Sequence, residues 1–146
     1  MRDASEESPC VPNGMSEESG NERNADIRFV VGITAGDFPD NNPLVGIEFQ
    51  RELESKAVVL GGSTYDAPAQ LVGDFLKAQP STELGSVQPS YTPGVNLTDL
   101  SDSLPAYAIE AIRKALPAVE RKIKGCAMND AVLPSVEKLH SSLVGL

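Results

Sequence analysis

Proline and glycine break this chain so often that every regular element in it must be short. Eleven Pro and twelve Gly are spread over 146 residues. Each interior Pro removes a backbone donor and crowds the preceding turn, and each Gly permits a change of direction, so irregular connectors must separate the elements. A chain of this length fits one ordinary domain. Apolar residues at 40% supply a core, while aromatics at 5% and the absence of Trp keep it modest.

The first element is predicted from Ile27-Arg28-Phe29-Val30-Val31-Gly32-Ile33, whose β-branched and aromatic residues favour a strand buried on at least one face. Asn42 followed by Pro43 marks a helix start, Phe49, Leu53, Ala57 and Leu60 recur at helical spacing, and Gly61-Gly62 stops the run. A second helix is predicted with Asp66 as cap and Pro68 in its first turn; Leu71, Val72, Phe75 and Leu76 form its stripe before Pro80. From Pro80 to Asp99 the chain reads as an extended polar connector containing SVQPSYTPGV.

A third helix is predicted after Ser103 and Pro105, with Ile109, Ile112, Leu116, Val119 and Ile123 on one face and an end at Gly125. Pro117 interrupts it, which predicts either a kink or two abutting helices. Asp130 to Leu139 is a weaker helical candidate despite Pro134, and Ser141 to Leu146 a short terminal strand.

Charge is uneven. Residues 1–26 carry two basic side chains, Arg2 and Arg23, against seven acidic ones, with almost no large apolar residue, which predicts an acidic segment that is disordered or loosely attached. Residues 27–146 form the second unit. A net charge of -9 with scattered cations argues against nucleic acid, because binding to phosphates needs clustered Lys and Arg. No apolar run approaches the roughly 20 residues of a membrane span, and no apolar signal core is present, so the expectation is a cytoplasmic protein without a membrane partner. Cys10 and Cys126 have no metal-ligand spacing, and without a secretory signal they read as reduced thiols more readily than as a disulfide.

Motifs that would carry chemistry are missing. There is no GxGxxG after a strand, no phosphate loop and no histidine pair for zinc. His140 is the only histidine, and a solvated surface role is favoured over a catalytic one. Glu48, Glu52 and Asp66 read as solvated carboxylates, and Arg113, Lys114, Arg121, Lys122 and Lys124 as a solvated face rather than an anion site. No catalytic residue and no metal ligand is assigned.

Several short motifs in fixed order resemble a known family. They are Asn13-Gly14-Met15-Ser16, Asn24-Ala25, Pro43-Leu44, Gly46-Ile47-Glu48-Phe49-Gln50-Arg51, Gly61-Gly62, Ala67-Pro68 with Gln70, and Asp74-Phe75-Leu76. Tyr91 to Val95, Leu104-Pro105, Ala115-Leu116-Pro117 and Lys122-Ile123-Lys124-Gly125 complete the pattern. Together they resemble the uncharacterised FAD-dependent dehydrogenases, flavoproteins with a domain inserted into a Rossmann-like FAD-binding fold.

That resemblance implies an α+β fold, helix-rich with a short β component, corresponding to the inserted, substrate-side domain at 27–146. It implies FAD in an intact parent, held by glycine-rich segments absent from this chain. The residues it places nearest the flavin are the two junctions, Asn13, Gly14, Met15 and Ser16 on entry and Glu137, Ser141 and Ser142 on return. Glu17, Glu18 and Ser19 depart from the family at the first junction, and Lys138, Leu139 and His140 at the second. The expected function is a fragment or truncated relative of an FAD-dependent oxidoreductase, inactive alone. The expected partner is the missing FAD-binding domain, or another protein, reached through exposed apolar helix faces. The alternative is a non-catalytic acidic helical interaction module.

Overall fold

The computed structural model describes residues 2–3, 12–13, 24, 27–38, 42 and 44–135. In chain order their regular elements are β1 (Arg2–Asp3), β2 (Pro12–Asn13), α1 (Val45–Leu60), β3 (Ala67–Leu71), α2 (Val72–Lys77), β4 (Val95–Leu97), α3 (Ala106–Glu120) and β5 (Val132–Pro134). Short 3-10 turns occupy Ala35–Asp37 and Leu100–Asp102. The architecture is α+β, as the sequence predicts.

β3 is the middle of a three-stranded mixed sheet of order β4-β3-β5, parallel to β4 and antiparallel to β5. This corrects the helix expected to open at Asp66 and Pro68. Ala67, Pro68, Ala69 and Gln70 are all buried, so the strand is covered on both faces. The two prolines are tolerated because of register. Pro68 stands at the end of the antiparallel ladder, where its carbonyl accepts from the Ser135 N–H at 2.9 Å. Pro134 faces Ala69, and the neighbouring hydrogen-bonded positions are Pro68 with Ser135 and Val72 with Ala131, so its missing N–H points away from β3. The expected helix from Asp130 is therefore replaced by β5.

α1 starts three residues after its expected cap, at Val45. The Asn42 side chain still acts there, accepting from the Leu44 N–H at 2.9 Å. The helix ends where the glycines place it: Gly61 and Ser63 donate back to Ala57 and Val58, and Gly62 takes φ +84°. α2 follows β3 without a loop and spans only six residues, closed by Ala78 in the left-handed region.

α3 runs through Pro117 as one helix of 15 residues and stops at Glu120, short of Gly125. Of the two expected outcomes, a pair of abutting helices is absent; Pro117 sits inside one continuous helix, without an N–H to offer the carbonyl one turn earlier. Ser103 is not its cap; its hydroxyl donates to the Leu100 carbonyl at 2.7 Å and closes the preceding 3-10 turn. The inward stripe holds for Ile109 and Leu116, which join Val72, Phe75 and Leu100 in the core, with Ile112 packed against them. Ile123 lies beyond the helix and is exposed.

The strand expected at 27–33 is not formed. These residues have no regular secondary structure, although Phe29 packs against the core. Among the described residues neither sheet includes them. The expected terminal strand at 141–146 lies outside the described residues.

Candidate functional site

Of the junction residues, Asn13 alone falls among the described ones, its backbone in β2 opposite Arg2. Gly14, Met15, Ser16, Glu137, Ser141 and Ser142 lie outside them, as do His140 and Cys10. The structure does place Asn24 and Ser135, described residues between the two expected junctions. Asn24 donates its side-chain N–H to the Gln88 carbonyl at 2.8 Å and ties the entering segment to the 80–94 connector. Ser135 is buried at the end of β5, bonded through its N–H to Pro68, with its hydroxyl 3.2 Å from that of Ser103.

The densest polar network surrounds the end of β3. Gln70 donates from Nε2 to the Gln79 carbonyl at 2.6 Å and accepts at Oε1 from the Leu100 N–H at 2.9 Å. The Asp74 carboxylate accepts from the Ser81 hydroxyl and the Gln79 amide, each at 2.7 Å, and the Ser81 oxygen in turn accepts from the Leu71 N–H. The network joins β3, α2, the connector and the 3-10 turn at Leu100. Its members are consumed by one another, which marks it as scaffolding. Sequence reading assigned Gln70 no structural role, because a glutamine in an expected helix gives no sign of burial.

Electrostatics agree with that reading. Asp74 is held below the usual carboxylate range by the Ser81 hydroxyl and then the Gln79 amide. Asp37, Asp99 and Asp130 are lowered by Thr34, Ser101 and Ser86, and Glu120 by the N–H groups of Gly125 and Ala127. A general acid at neutral pH needs the opposite shift. Burial, and then the neighbouring Glu120 carboxylate, push the Cys126 thiol up, which suppresses the thiolate a nucleophile requires. Among the described residues no group of His, Cys, Asp and Glu can hold a metal ion, and no helix is long and apolar enough to cross a membrane.

The cations of α3 do not make an anion site. Arg113 donates from Nε to the Phe75 carbonyl at 2.8 Å and lies 5.0 Å from the centre of that ring, so it clamps α3 to α2. Lys114 reaches toward Glu110 on the exposed face.

A dinucleotide pyrophosphate is met by free N–H groups at a strand-to-helix turn, where glycines let the backbone come close. The β3–α2 junction has that order of elements but not those donors. The N–H of Val72 donates to the Ala131 carbonyl and that of Gly73 to the Asn129 carbonyl, both at 2.9 Å. A Cβ on Gly73 would stand 3.0 Å from Asn129, so this glycine serves close packing of protein on protein. The β3–α2 junction therefore offers no free N–H groups for a pyrophosphate.

Comparison with known proteins supplies the remaining context. An uncharacterized protein of Clostridium beijerinckii (strain ATCC 51743 / NCIMB 8052) is 46% identical over 143 residues, covering 98% of this chain. The chain spans 27% of that relative's length. Residues 1–139 match the family described as "FAD-dependent protein, C-terminal domain-like". The chain belongs to this FAD-dependent protein, C-terminal domain-like family.

Proposed function

We propose that this chain is the substrate-side domain of an FAD-dependent oxidoreductase, inserted into the FAD-binding fold of a longer protein and inactive by itself. The observation that carries the reading is the β3–α2 junction. In a chain whose family is FAD-dependent, the strand-to-helix turn spends its leading N–H groups on Asn129 and Ala131. Such a domain shapes a pocket and leaves the flavin to other segments. Its carboxylates, lowered by hydrogen bonds, act as acceptors that fix loops.

The test uses the Clostridium relative. Purified intact, it is expected to carry flavin, and replacing its matched 143 residues with this chain is expected to preserve flavin binding while altering how fast reductants reach the flavin. Loss of flavin from the chimera, with the fold retained, would contradict a role confined to the substrate side.

A second reading, a non-catalytic interaction module, is favoured by the apolar side chains that α1 and its approach leave in solvent, Leu44, Ile47 and Val59. An intact relative that folds without any flavin would favour it.

A further inference from the structure

The cations that follow α3 differ from those within it. Arg113 and Lys114 are engaged, the first by the Phe75 carbonyl and the second with Glu110, whereas Arg121, Lys122 and Lys124 have no hydrogen-bond or salt-bridge partner among the described residues. Residues 121–125 are all exposed, and Ile123, set between Lys122 and Lys124, keeps 56% of its surface in solvent. A Cβ added at Gly125 would meet nothing within 4 Å, so the space around the loop is open.

The loop is nonetheless braced. The N–H groups of Lys122 and Ile123 donate to the Val119 carbonyl at 2.8 and 2.7 Å and carry the last turn of α3 onward. The Glu120 carboxylate then accepts from the N–H of Gly125 at 2.9 Å, from the N–H of Ala127 at 2.7 Å and from the Cys126 Sγ at 3.5 Å. Gly125 turns the chain back at φ +93°, a conformation that glycine adopts without strain. A backbone fixed in this way loses little further freedom on docking.

An apolar side chain ringed by charges suits transient contact between proteins: the centre supplies burial, and the rim selects the partner and speeds encounter. We infer that the loop at 121–125 is a docking site for the acidic face of a separate protein, with Ile123 at the contact and Arg121, Lys122 and Lys124 around it. Three cations within four residues stand against one carboxylate, Glu120, whose oxygens already serve the loop's own donors. The net charge of -9 does not cancel that local field, because screening at physiological ionic strength acts over about 8 Å. The remainder of a longer protein is a poorer occupant, since permanent interfaces are more apolar and their centres are depleted of lysine. A membrane is poorer as well, because one isoleucine offers little to bury and three cations attract an anionic surface weakly. The site stands whether or not the longer protein is an oxidoreductase.

An NMR titration of the 15N-labelled chain tests this, with a synthetic peptide of glutamates around one leucine as the stand-in for the acidic face. Saturable shifts are expected at the amides of 121–128, and the Kd should rise roughly 10-fold when NaCl is raised from about 50 to about 300 mM. Lys122→Glu with Lys124→Glu should abolish the shifts. Ile123→Ser should weaken binding at least about 3-fold by removing apolar burial, with the Tm unchanged because the side chain is exposed. Absence of shifts at 121–128 would overturn the assignment, and binding indifferent to Ile123→Ser would reduce the loop to a solvated cationic face. Vesicles of phosphatidylserine and phosphatidylcholine that shift the same amides more strongly than the peptide would give the site to a membrane instead. Loss of peptide binding when this chain replaces the matched region of the Clostridium relative would give it to the longer protein's own interior. None of these arms reads flavin, so their failure leaves the proposed function standing.

Discussion

The backbone N–H of Leu100 ends on the side-chain Oε1 of Gln70, 2.9 Å away in the buried interior, while Nε2 of the same side chain serves the Gln79 carbonyl. One amide thus holds a 3-10 turn and the residue after α2 against the central strand. Gln70→Leu keeps the volume and leaves the buried Leu100 N–H without a partner, while the carbonyl of the exposed Gln79 can turn to water. A buried orphan costs about 1–3 kcal/mol, so the urea midpoint should fall clearly with little change in slope. A midpoint equal to that of the parent would mean the network is dispensable.

Asp74 links stability to acid. Hydrogen bonds from Ser81 and Gln79 place its folded pKa below the ordinary 3.8. The sign follows from linkage: a lowered carboxyl stabilises the fold fully above its unfolded pKa, and the contribution disappears as pH falls through the folded value. Asp74→Ala should therefore weaken the protein at neutral pH and flatten its loss of stability below 3.8. Denaturation followed across that range reads both effects.

Two glycines are required by close approach. A Cβ on Gly61 would overlap the carbonyl oxygen of Asp66, and one on Gly85 would stand 2.5 Å from the Asp130 side chain, whose carboxylate accepts from Ser86. Gly61→Ala should cost about 1–3 kcal/mol or more, because backbone must move. Gly85→Ala should cost somewhat less, because the overlap is smaller, although the Asp130 Cβ it meets moves only with its backbone. Thermal unfolding of the two variants gives the order.

Cys126 should be slow to alkylate. Its thiol is raised first by burial and second by Glu120, whose carboxylate also accepts from Gly125 and Ala127. Glu120→Gln removes the smaller cause, so the iodoacetamide rate at Cys126, followed by peptide mass spectrometry at neutral pH, should rise without reaching that of a free thiol. A drop in rate would contradict the assignment.

How far the chain can be read without its structure depends on whether the deciding contacts are local. Asn42, Gly61 and Gly62 bound α1 through hydrogen bonds within a few residues, and the stripe of Ile109, Ile112 and Leu116 faces inward as its spacing requires. β3 misleads because Pro68 imitates the start of the helix whose stripe, Val72, Phe75 and Leu76, does form α2, whereas the strand owes its existence to Val95–Leu97 and Val132–Pro134, distant in sequence. Val30 misleads in the opposite sense: its neighbours have strand propensity without a described partner. Around the candidate site, Asn24 is marked only by the family resemblance, and Ser135 by nothing, since a serine is common in any loop.

The central claim is that this domain belongs to an FAD-dependent protein without holding the cofactor itself. The most direct measurement is a titration of the isolated chain with FAD, followed by flavin fluorescence and by retention of flavin absorbance through gel filtration. The account predicts an unchanged flavin signal and a colourless protein peak. A saturable change in fluorescence, with flavin co-eluting with the chain, would contradict it.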